Sequence, residues 1–68
     1  MKPRDDDEWE RVVDEAIARE FHEAYERLAP EHGYETRQES AVPWENVPEA
    51  NRHLMAAVVR ELRERGVI

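Results

Sequence analysis

The chain has 68 residues, no cysteine, and ten basic against seventeen acidic side chains, giving a net charge of −7 at neutral pH. This length allows one domain with a small core, and the missing thiols exclude a disulfide or a thiolate metal site. Twelve of the acids but only five of the bases fall in residues 1–35, so the first half repels phosphate and a nucleic-acid polymer is not expected as a partner.

Residues 1–5 read as a frayed tail, and residues 6–68 as a single helical domain. Behind Met1-Lys2-Pro3-Arg4 come four acids rather than an apolar stretch, which is not the pattern of a secretory signal. The longest apolar run, Met55 to Val59, is far too short to span a membrane. The expected location is cytoplasmic, with no membrane partner.

The first helix is predicted over about 6–29. Trp9, Val12, Val13, Ala16, Ile17, Phe21, Ala24 and Leu28, with Tyr25 beside them, recur at the three- and four-residue spacings of one helix face. Asp7 is the expected N-cap and Glu10 completes a capping-box pattern. Asp7/Arg11, Glu15/Arg19 and Glu23/Arg27 have the i,i+4 spacing, acid first, that favours ion pairing on a helix. Pro30 stops the helix, because a residue before proline is disfavoured in the α region.

Residues 30–46 form a connector of seventeen residues, long beside the roughly 2–8 usual between packed helices. It contains Tyr34, Val42 and Trp44, residue types that disordered segments mostly lack. An ordered loop packed over the helices is expected.

A second helix is predicted over about 47–65. Asn46 is its expected N-cap, with Pro48 in the first turn and Glu49 three residues after the cap. Leu54, Met55, Val58 and Leu62 should form the buried stripe, with Val47, Ala50 and Val59 at its margins. Gly66 is placed to take the left-handed conformation that ends a helix, bringing Val67 onto Leu62 in a Schellman motif. The fold class expected is all-α, two antiparallel helices joined by a long ordered loop.

No pattern supports catalysis. His22-Glu23-Ala24-Tyr25 begins like a zinc-protease motif, but Tyr25 stands near where the second histidine would be needed, and His32 and His53 lie on other elements. Ser40 and Thr36 sit in no nucleophile elbow, and two glycines 33 residues apart make no phosphate loop. Neither metal nor cofactor is expected. The one constellation with chemical interest is aromatic plus arginine: Tyr25, Tyr34 and Trp44, with Arg37 among them and Arg52 on the next helix. Aromatic faces beside guanidinium groups hold planar anionic ligands by stacking and charge-assisted hydrogen bonds. The same residues also suit the plug of a small core.

Over roughly residues 15–68 the order of residues resembles the RyR domain, the small helical module of ryanodine receptors that also occurs alone in bacterial and phage proteins. The similarity rests on His22-Glu23-x-Tyr25, on Gly33-Tyr34 with Arg37 following, and on Val42-Pro43-Trp44-Glu45-x-Val47-Pro48-Glu49-x-Asn51-Arg52. It implies a non-enzymatic module for a nucleotide or nucleotide-derived signal. Tyr25 would be the stacking aromatic and Arg37 the phosphate partner, with Trp44 and His22 lining the same cleft. The alternative is a protein-interaction or homo-oligomerising module, with Trp9, Val13, Phe21 and Met55 partly exposed on the single chain and an acidic first helix that steers a basic partner.

Overall fold

The computed structural model describes residues 3–38 and 41–68. Two helices, α1 (Pro3–Leu28) and α2 (Glu49–Glu64), pack antiparallel, and the connector adds two short 3₁₀ turns, Pro30–His32 and Trp44–Asn46. The all-α hairpin is therefore as expected, and no strand occurs among the described residues. No helix is long and apolar enough to cross a membrane.

The helix starts differ from those the sequence predicts. α1 begins at Pro3, so residues 3–5 are helical rather than tail, and Asp7 lies inside the helix instead of capping it. Proline suits a first helical position, and an acidic run suits the positive end of the helix dipole, so the helix continues past the expected cap. At α2 the cap position is Pro48, with no side-chain cap, while Asn46 closes the second 3₁₀ turn through its N–H to Pro43 O.

Pro30 does end α1, but not by expelling Ala29 from the α region, for Ala29 keeps φ −53° and ψ −48°. The missing N–H of proline removes the next rung, the chain tightens to 3₁₀, and Gly33 at φ 78° turns it away while Tyr34 N–H bonds back to Ala29 O. The end of α2 matches the sequence reading closely. Gly66 has φ 76°, its N–H reaches Arg63 O, and Val67 N–H reaches Leu62 O at 2.9 Å, the paired bonds of a Schellman motif.

The core is small. Ala18, Val47, Val59 and Trp44 (5% exposed) form it, with Ile17, Val42, Met55 and Ala56 packed around. On α1 the residues turned inward are Asp14, Ala18 and His22, with Ala29 just beyond its end, a ladder beside the long apolar stripe rather than the stripe itself. The small Ala18 lets α2 approach closely, and α2 contributes Val59 rather than the expected Leu54 and Val58, which stay exposed. One partner helix covers only one arc of α1, so the remaining apolar residues face outward.

Polar contacts lock this arrangement. Asp14, 3% exposed, accepts hydrogen bonds from Arg60 Nε (2.5 Å) and Arg63 Nη1 (2.6 Å), and Arg63 also meets Glu10 at 3.0 Å. On the outer face Arg19 turns to Glu23 and Glu45, both at 3.3 Å, rather than back to Glu15. Such exposed pairs contribute at most about 1 kcal/mol each.

Candidate functional site

Where α1 ends and the connector turns back, the chain forms a concavity of about 370 Å³. Its α1 wall is Phe21, His22, Tyr25 and Glu26, the connector supplies residues 34–37, and α2 closes the far side with Asn51 and Met55. The geometry follows from local sequence. Phe21 and His22, adjacent on α1, each lie one helical turn before Tyr25, and the left-handed Gly33 swings Tyr34 and the residues after it across that turn.

His22 anchors the floor. It is 4% exposed, and its Nε2 lies 2.7 Å from Val42 O. A carbonyl can only accept, so Nε2 carries the proton and donates it. The imidazole also packs against the Trp44 ring at 5.8 Å and a tilt of 57°. Above it the Phe21 and Tyr25 rings stack at 5.9 Å and 24°. Thr36 donates its hydroxyl to Glu26 Oε1 at 2.6 Å, which ties the connector to α1 at the cleft rim. Tyr34 is 70% exposed and Arg37 is open to solvent, with no ion-pair partner among the described residues.

Of the six residues singled out from the sequence, the fold brings His22, Tyr25, Tyr34 and Arg37 into this one cleft. Trp44 does not line it but lies in the core, with its ring against His22. Arg52 stands at the start of α2 and donates Nε–H to Val47 O at 3.1 Å, a bond that fastens the second 3₁₀ turn to the helix. Sequence reasoning missed Phe21, Asn51 and Met55 as lining residues. Asn51 and Met55 are spaced i,i+4 on α2, so the pair was visible as one helix edge; that this edge faces Tyr25 required the packing angle.

Two carboxylates, Glu26 and Glu35, share the lining with the single guanidinium of Arg37. The cleft thus offers aromatic faces, one amide, hydrogen-bond acceptors and one positive charge. Among the described residues no group of three or more histidines and carboxylates is placed to hold a metal ion. Comparison with protein-family models, with curated proteins and with solved structures finds no match for this chain.

Proposed function

We propose that the protein is a non-enzymatic module that binds a nucleotide-type small molecule in the cleft between Tyr25, Tyr34 and Arg37. The observation that carries the reading is the convergence of those residues with His22 on one concavity, from the last turns of α1 and from the connector. Exposed tyrosine rings give a base a stacking surface, the Asn51 amide can pair with its edge, and Arg37 can hold a phosphate. The resemblance to RyR domains points the same way. A cytoplasmic location, where such ligands are made, belongs to the same proposal.

The charge of the cleft narrows the ligand. One guanidinium set against two carboxylates, on a chain of net charge −7, suits a single phosphate and opposes a triphosphate. Nucleoside monophosphates and cyclic mononucleotides should therefore bind more tightly than ATP or GTP. The carboxylates are placed to accept from ribose hydroxyls or an exocyclic amine.

Thermal unfolding with a panel of mono-, tri- and cyclic nucleotides tests this directly. Saturation near a hundred times Kd stabilises by about 2.7 kcal/mol, a rise on the order of 10 °C for a chain of this size. Arg37→Ala should weaken binding by roughly tenfold or more, from the loss of one charge-assisted hydrogen bond, and Tyr34→Ala by a similar factor through lost stacking. Both side chains are exposed, so helix content should not change. No shift with any nucleotide at millimolar concentration, or unaltered affinity in both variants, would refute the reading.

A further inference from the structure

We infer that the apolar face between the two helices is the contact surface for a second copy of this chain, giving a symmetric four-helix dimer. The inference is independent of the ligand reading. On that face Ile17 and Phe21 of α1 and Leu54, Val58 and Leu62 of α2, with Ile68 at one end, border a groove of about 390 Å³. Among the described residues no charged or polar side chain lines it. Leu54 is 62% exposed, Val58 50%, and Phe21 and Ile68 are as open as Leu54.

Surface area argues that this face is covered by protein. The accessible surface of the chain is 5552 Å², whereas a compact monomer of its mass, 8.1 kDa, should expose roughly 4500 Å². The excess of about 1000 Å² is close to the ~800 Å² that each partner contributes to a standard stable interface. Among the described residues no large side chain is fully buried, and their core of four residues is small even for a domain of this length.

Shape and charge argue that the cover is another copy. Each helix presents one apolar stripe to the groove, so the hairpin forms half of a four-helix bundle, and a two-fold axis places the same patch on both partners. Self-association also demands that like charges do not meet. Although the chain carries −7 overall, the described residues that line its groove are all apolar, so no like charges are brought together there.

Sedimentation analysis of the full chain from about 2 to about 200 µM, with thermal melts over the same range, tests the inference. The expected results are a mass twice 8.1 kDa and a Tm that rises by several degrees across the series. Leu54→Glu and Val58→Glu should each give a monomer at all concentrations, while Ala57→Glu, exposed but outside the groove, should remain dimeric. Helix loss in the first two variants but not in Ala57→Glu is the same result, because both positions are exposed in the single chain and are destabilised only by a lost partner. A wild-type monomer with a concentration-independent Tm overturns the inference. So does a dimer that persists in both groove variants, or an equal effect of all three substitutions.

Discussion

Asp14→Asn removes the one carboxylate buried among the described residues, which joins the two helices. The Asp14 side chain accepts from Arg60 at 2.5 Å and from Arg63 at 2.6 Å, while the two guanidinium groups keep 35% and 26% of their side-chain surface in water. Breaking a fully buried ion pair by deleting one partner costs about 3–5 kcal/mol. Here solvent still reaches both arginines and Arg63 retains Glu10, so the expected loss is smaller, about 2 kcal/mol. For a chain of this length that lowers Tm by roughly 8–16 °C. The pH dependence gives a second readout. Burial alone would raise the Asp14 carboxyl, but hydrogen bonds and charge from Arg60 and Arg63 outweigh it and hold the group below its ordinary value. A depressed folded-state value means stability that is present above the unfolded carboxylate range and is lost as pH falls through the folded value. Circular-dichroism melts of both proteins at equal concentration, at neutral pH and through an acid series, should show a lower Tm and a flatter acid limb in Asp14→Asn. A variant within about 0.5 kcal/mol of wild type, with an unchanged acid limb, would refute the view that Asp14 clamps the hairpin.

Two further substitutions probe the connector. Trp44→Ala empties the centre of a four-residue core and should cost about 3–5 kcal/mol, enough to unfold much of the protein at room temperature, as read by urea titration. Gly33→Ala meets no atom within 4 Å of the added Cβ, so its cost comes only from holding φ at 78°, about 1–2 kcal/mol; the same melts check it, and a larger loss would mean that the turn itself has rearranged.

The elements were legible in the sequence wherever one residue type decides the backbone. Gly66 with Val67 and Leu62 foretold the end of α2 down to its two hydrogen bonds, and Pro30 foretold the end of α1. What the sequence could not convey was which arc of α1 would face α2. The stripe from Trp9 to Leu28 is wide enough to serve two neighbours, and the arc chosen depends on Ala18 allowing close approach and on Asp14 finding Arg60 and Arg63. Those partners lie more than forty residues away, beyond any local pattern. The site followed the same division. Tyr34 and Arg37 are grouped with Tyr25 by residue type alone, and it is the left-handed turn at Gly33 that brings them to it, whereas Trp44, singled out with them and equally suited to the core, packs inward with Val47, Val59 and Ala18.

Phe21 and Met55 line both the aromatic cleft and the apolar groove. The two concavities therefore share two side chains, and one of them is the Phe21 ring, stacked on Tyr25. If an occupant of one side restricts the rotamer that the other side meets, the effect is a coupling free energy between two sites and is reciprocal by thermodynamic necessity. A ligand that tightens self-association by some factor is itself bound more tightly by the dimer by that factor. In a chain this small, the concentration of one species becomes a means of reporting the concentration of the other.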